Sequence, residues 1–338
     1  MLETVPALEL EELTSGGALR ALVPEWERLW ENTPAATPFQ MPGWLLSWWK
    51  HFGAGKKLWV LILREAGELV GVAPLCIHVE NGVRKVLLIG VAVSDYLDAL
   101  FAPEVAETGA TLVFEHLARH AARWDVCDLQ PLLEESALLS AELPAGLRSS
   151  LGKTDTCTRL ELSGDPARFR TRFSAHFRKR LSAARRNAEA LGAVRFELAS
   201  AQTFPMQFDI LLRLHRSRWK TRNEPGLITN ASAEGFHRDA AHSLLKRGAL
   251  RLWTLQIGAR PAAALHAFVH RRRLYAYLSG LEPEFEKASP GVLLIMHAIE
   301  QAMLEGVIEC DFLRGREAYK YRWAVREFPT CVRHLVPA

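Results

Sequence analysis

The spacing of apolar residues divides most of this chain into helices and strands. Leu19, Leu22, Trp26 and Leu29 recur at helical spacing over residues 16–32, and Trp44, Leu45, Trp48, Trp49 and Phe52 form an aromatic helix face after Pro42. Recurrence near 3.6 residues marks one buried face of a helix. Strands are predicted at 58–64, 69–79 and 86–93, joined by a turn at Ala66-Gly67 and by the hairpin signal Asn81-Gly82. Residues 104–123 return to helical spacing, and 124–129 form one more strand.

The second part of the chain has a related pattern. After a strand at 156–162, Asp165-Pro166 opens a helix, with Asp as cap and Pro just inside. Phe169, Phe173 and Phe177, four apart, read as a buried stripe. Helices are predicted over 204–222 and 233–247, then three strands at 250–257, 262–270 and 274–281. Ser289-Pro290-Gly291 starts a further helix with Val292, Leu293, Ile295, Met296, Ile299, Met303 and Leu304 apolar. Gly306 stops it, and a strand at 307–313 carries Asp311.

The two parts rhyme. GELVGVAPLCIHV (67–79) matches GARPAAALHAFVH (258–270), and RWDVCDLQPL (123–132) matches GVIECDFLRG (306–315). A strand meander followed by a helix and a strand is one α/β unit. The expected fold class is therefore α/β (α+β), with two tandem halves at 1–150 and 151–338, each a mixed, largely antiparallel sheet flanked by helices.

Composition narrows the setting. Of 338 residues, 49% are apolar and 24% charged, which is globular and not disordered. No run of about 18 apolar residues exists, so no membrane span is expected. The first thirty residues lack a basic start and an apolar block, which argues against a signal peptide. The five cysteines are widely spaced with no CxxC pair, so neither a disulfide framework nor a zinc site is expected. A reducing cytoplasm is the simplest compartment. The net charge of +4 singles out no partner, although residues 168–195 hold nine Arg/Lys against one acid, Glu189. That stretch is either a solvated helix face or a surface for phosphates, RNA or anionic lipid.

The candidate chemistry centres on the helix start at 289. First-turn N–H groups and the helix dipole favour an anion there, and Gly291 permits close approach. Ser-Pro-Gly is equally a plain cap. The corresponding helix of the first half opens with Glu104 and Glu107, which would repel a phosphate; the second has Lys287 just upstream. Downstream lie Asp311, Arg314, Arg316, Glu317, Tyr319, Lys320 and Arg322. Asp311 and Glu317 are base candidates. Asp311 is alternatively the ion-pair partner of Arg314 or Lys320, and Glu317 is alternatively solvated. Tyr319 is an acid candidate, because a phenol can donate to a thiolate, and Lys320 is a group that would orient a substrate. His215, Arg218 and Trp219 share one helix at spacings of three and four, facing either substrate or core. Asp95 and Tyr96 either line a cleft or cap a turn. No Gly-x-Ser-x-Gly elbow, Walker lysine or HExxH helix is present.

Several runs carry a resemblance: FQMPGWLLSWWKHFG (39–53), SDYLDALFAP (94–103), LLRLHRSRWK (211–220), SPGVLL (289–294) and DFLRGREAYKYRW (311–323). They resemble the GNAT acyltransferase superfamily, and within it the cellulose-biosynthesis-type acetyltransferases related to Fem peptidoglycan aminoacyltransferases. SPGVLL stands where the superfamily has its Gln/Arg-x-x-Gly-x-Gly/Ala phosphate loop. The resemblance implies transfer from acetyl-CoA or another acyl-CoA, without a metal, to an amine of a small molecule or an envelope or polysaccharide precursor. Backbone N–H groups of Gly291, Val292 and Leu293, with Ser289 and Lys287, would hold the pyrophosphate. Fem-like relatives imply aminoacyl-tRNA as a different donor. A non-catalytic accessory protein of exopolysaccharide assembly is a third reading.

Overall fold

The computed structural model describes residues 7–222 and 226–338. The chain divides into two compact units: unit 1 is residues 1–155 with 329–338, and unit 2 is residues 156–328. The last ten residues, placed by sequence in the second half, thus group with the first unit.

Unit 1 begins with β1 (Leu8–Leu13), α1 (Gly16–Ala21), α2 (Val23–Asn32) and α3 (Pro42–Phe52). The helix expected over 16–32 is two helices, with Pro24 in the first turn of the second. Pro lacks the N–H that a continuous helix would need. Next come β2 (Lys57–Leu58), β3 (Val60–Glu65), β4 (Glu68–Ala73), β5 (Leu75–Glu80), β6 (Val83–Leu88), β7 (Leu100–Phe101), α4 (Ala106–Arg119), β8 (Val126–Leu132) and α5 (Ala137–Ser140). The strand expected at 69–79 breaks at Pro74, so that β4 joins the sheet β1-β3-β4-β7 and β5 joins β8-β6-β5-β2. The strand β1 was not expected. Its alternating burial, with Glu9 and Glu11 outward, is that of a strand covered on one face.

Unit 2 is entered through β9 (Leu147–Glu161). It contains α6 (Pro166–Phe169), α7 (Ala175–Leu191), β10 (Val194–Leu198), α8 (Phe204–Arg222) and α9 (Ala231–Lys246). These are followed by β11 (Leu250–Ile257), β12 (Arg260–His270), β13 (Arg273–Leu281), α10 (Pro290–Leu304) and β14 (Glu309–Arg314). The chain leaves through β15 (Arg326–Pro337), which pairs with β8 from Cys331 to Leu335. Strands β10 to β13 form an antiparallel meander, β14 lies parallel to β13, and the end of β9 closes on β14. Helices α7 and α10 bury one face of this sheet through Phe177, Leu181, Leu294 and Ile299 against Leu255, Leu265 and Leu274. The Phe169–Phe173–Phe177 stripe packs edge-on, and Phe173 and Phe177 meet Trp323, which is fully buried.

A parallel strand pair carries an aspartate at the same point in each unit. Leu87 faces Asp128 across β6 and β8, and Tyr275 faces Asp311 across β13 and β14. Each aspartate then meets a nitrogen side chain on its other neighbour: His334 Nδ1 at 2.6 Å from Asp128, and Arg159 Nε at 3.0 Å from Asp311. Among the described residues no helix is long and apolar enough to cross a membrane.

Candidate active site

The site forms where two parallel strands part. Strands β13 and β14 pair only over Arg273–Tyr275 and Glu309–Asp311. Beyond that point β13 runs on to Leu281, with a register shift against β12 that leaves Tyr277 as the extra residue. Strand β14 turns at Leu313, whose φ is 62°. Its N–H is held at 2.8 Å by Asp311 Oδ1. A bulged strand beside one with a left-handed residue is how backbone is re-aimed next to a site.

A cavity of about 430 Å³ opens there. Its walls include Ser279 and Leu281 from β13, Ala264 and Leu265 from β12, and Arg218 and Thr221 from α8. The start of α10 and Tyr319 are also part of them. Helix α8 reaches the strand because residue 280 is glycine: a Cβ there would stand 2.4 Å from the His215 N. That close approach brings the Arg218 guanidinium to donate to Ser279 Oγ. A glycine inside a strand is a signal of such an approach, and it could have drawn attention to Ser279.

The start of α10 is built as an opening. Ser289 is left-handed (φ 46°) and its side chain makes no cap bond. Its carbonyl accepts Val292 N–H at 3.1 Å and, weakly, Leu293 N–H at 3.4 Å. Those two expected anion donors are therefore turned toward Ser289. The Gly291 N–H keeps no partner among the described residues, and Gly291 lines the cavity. Lys287 is exposed and is not part of the lining; its carbonyl accepts from Asn187 at 3.2 Å. The 3₁₀ turn at Pro283–Ala288 instead turns Glu286 toward the cavity, which Glu282 also lines. The cation that the sequence set just upstream of this helix thus lies off the cavity, and two acids line it. Arg213 neutralises Glu282 at 2.7 Å.

The residues named from sequence separate into those at the cavity and those elsewhere. Ser289, Gly291, Val292, Arg218 and Tyr319 line it; Leu293 does not. Asp311 is wholly buried with both oxygens engaged, by Arg159 and by Leu313 N–H. Arg159 is a cation partner of Asp311 that the sequence reading did not name, and the pair fits a structural role better than a base. Lys320 is buried, and its Nζ donates to the carbonyls of Leu313 (3.1 Å), Arg314 (2.5 Å) and Gly315 (3.2 Å). Glu317 lies 3.0 Å from the same Nζ. Together they hold the loop that follows β14 and leave no donor for substrate. Lys320→Met should lower the stability of unit 2 by about 2–4 kcal/mol, because buried carbonyls lose their donor; the urea unfolding midpoint reads this.

His215 is buried and does not line the cavity; its pKa is pushed down to about 4 by burial, with Arg218 and Arg216 adding to the shift. Trp219 lies beside it at 5.9 Å between ring centroids. Asp95 and Tyr96 are buried in unit 1, where Tyr96 packs edge-on against Phe39 and lines a smaller cavity of about 120 Å³. The loop 221–231, given from sequence the shaping of the acceptor pocket, includes 223–225, which lie outside the described residues.

Residues 175–321 match the family described as Acetyltransferase (GNAT) domain, a segment that contains every lining residue of this cavity. No curated protein matches the chain. Among solved structures, the chain is similar to FemX, with 10% identity, 96% of each chain covered and a TM-score of 0.66. It is also similar to the C-terminal domain of a putative lysylphosphatidylglycerol synthetase from Agrobacterium fabrum, with 11% identity, 94% and 92% covered and a TM-score of 0.58. A conserved protein of unknown function from Bacteroides thetaiotaomicron follows, with 10% identity, 97% and 100% covered and a TM-score of 0.57. At such identities these likenesses are of fold.

Proposed function

We propose that the acyltransferase domain of unit 2 moves the acyl group of a CoA thioester, acetyl-CoA first among them, to an amine. The observation that carries this reading is the parting of β13 from β14, with the start of α10 and Tyr319 lining one cavity. The Gly291 N–H and the positive end of α10 suit a phosphate. The apolar stretch of Leu265, Leu281 and Ile295 suits a pantetheine arm. Glu286 works against an anion at the same mouth, so micromolar affinity is expected.

In the reaction the amine nitrogen bonds to the thioester carbonyl carbon and the C–S bond breaks. The leaving thiolate takes its proton from the Tyr319 phenol, and the proton that the amine sheds as the amide forms passes through water to the Tyr319 phenolate and restores it. The Arg218–Ser279 pair forms part of the wall and helps place the acceptor. Calorimetric titration with acetyl-CoA and CoA tests donor binding directly; no heat with either would sink the reading. Tyr319→Phe should lower kcat roughly 100-fold while the acetyl-CoA Kd holds. Unchanged thiol release in that variant would remove Tyr319 from the chemistry.

One observation favours a second donor, an aminoacyl-tRNA. Arg178, Lys179, Arg180, Arg185 and Arg186 are all exposed on α7. Binding of tRNA that weakens steeply with salt, together with silence toward acetyl-CoA, would select that donor.

A further inference from the structure

Unit 1 holds a cluster that the acyl-transfer reading does not use. His116 lies near the end of α4 and His120 just past it, four residues apart, so both imidazoles project from one side of the helix. Their ring centroids are 4.2 Å apart. Facing them from β1 is Glu12, whose Oε1 lies 2.7 Å from His116 Nε2 and 3.7 Å from His120 Nε2. The three ligand atoms lie within 4.8 Å of one another. Ligands at about 2.0–2.1 Å around a tetrahedral ion are separated by roughly 3.3 Å, a value that the two Glu12 distances bracket.

The tautomer of His120 is set by its neighbours. Its Nδ1 lies 2.9 Å from the His116 carbonyl, which can only accept, so Nδ1 carries the proton. Nε2 is then the nitrogen that faces Glu12 Oε1, 3.7 Å away. A metal ion set between them would be ligated by both. A backbone carbonyl that fixes the outer nitrogen of an imidazole is also the usual support of a histidine metal ligand. Arg123 holds both Glu12 oxygens at 2.8 and 2.9 Å and lies over the Trp59 ring at 4.4 Å. Its side chain is 38% exposed, so it can keep Oε2 while Oε1 turns to a metal.

We infer that Glu12, His116 and His120 form a site for a borderline transition metal ion such as Zn²⁺, with one position left to water on the exposed side of His120. The ligand set of two imidazoles and one carboxylate is one that zinc takes with an open fourth position. Glu12 and His116 are separated by 104 residues, so no short motif announces the site. An ion there would staple β1, an edge strand, to the helix α4.

The experiment is titration of the full chain, stripped with chelator, by Zn²⁺ in a calorimeter, and by Co²⁺ with the visible d–d bands as readout. One ion per chain at micromolar Kd, intense tetrahedral Co²⁺ bands and a raised unfolding midpoint are expected. His120→Ala, on the most exposed ligand, should weaken binding at least 30-fold with an unchanged circular dichroism spectrum. Arg123→Ala should leave binding equal or tighter, because it removes a competing cation. Absence of micromolar binding, or binding that His120→Ala leaves untouched, would overturn the inference and leave a Glu12–His116–Arg123 ion network.

Discussion

Gly291→Glu is expected to weaken acetyl-CoA binding by roughly 100-fold or more, about 2.7 kcal/mol, while unit 2 stays folded. A Cβ at this position would stand 2.9 Å from Leu281 Cδ2, the far end of a flexible side chain, so the fold can yield. The carboxylate then occupies the positive end of α10 that a phosphate would use, beside Glu286, and repels what remains. Gly291→Ala separates the two effects. It adds the same Cβ without the charge, so its Kd should stay within several-fold of the parent. Titration of both variants with acetyl-CoA, alongside circular dichroism, reads this. Equal affinities in the parent and Gly291→Glu would remove the start of α10 from the donor site.

The second large effect is on stability in acid. His215, His237 and His266 are buried in unit 2, each with 2% exposure or less. Neither ring nitrogen of His237 or His266 has a hydrogen-bond partner in the structure. Burial pushes the His266 pKa down to about 3 and that of His215 to about 4. His237 is held well below the ordinary range by burial and by its two neighbouring histidines. A folded-state pKa below the unfolded one means that the unfolded chain binds more protons below about pH 6.5. Stability is therefore intact above that pH and falls as pH drops toward the folded values. At pH 5 His215 and His266 each remove roughly 2 kcal/mol. His237 adds to the loss in the same direction, so a large share of the stability of an ordinary domain is at stake. Urea midpoints followed by tryptophan fluorescence at pH 7.5, 6 and 5 should fall steeply, and His266→Leu should flatten the slope. A midpoint constant from pH 7.5 to 5 would contradict this account.

Much of the framework was legible because it rests on local rules. Gly67 and Gly258 mark turns with positive φ, the apolar spacing of 292–304 gives α10, and Asp311 occupies a core strand where a carboxylate needs a partner. What escaped depends on long-range placement. Arg159, the partner of Asp311, is 152 residues away. Lys320 looked like a substrate group because its neighbours are polar, yet its reach to three carbonyls depends on how the chain turns after Leu313. Glu286 and Lys287 are adjacent in sequence, and the 3₁₀ turn alone decides that the acid, and not the cation, faces the cavity. Strand β15 was missed because its half-exposed alternation of apolar and polar residues is weaker than that of the buried strands.

The return of residues 329–338 to unit 1 bears on the order of assembly during synthesis. Unit 2 is one uninterrupted segment and has all its residues once Phe328 has emerged. Unit 1 is begun first but completed last, since Cys331–Leu335 supply the antiparallel neighbour of β8, and Arg333 donates to the carbonyls of Leu138, Leu139 and Ala141. Until that tail emerges, β8 presents an open edge of unpaired N–H and C=O groups, the kind of surface that recruits foreign strands. The nascent chain thus carries this open edge through the whole synthesis of unit 2.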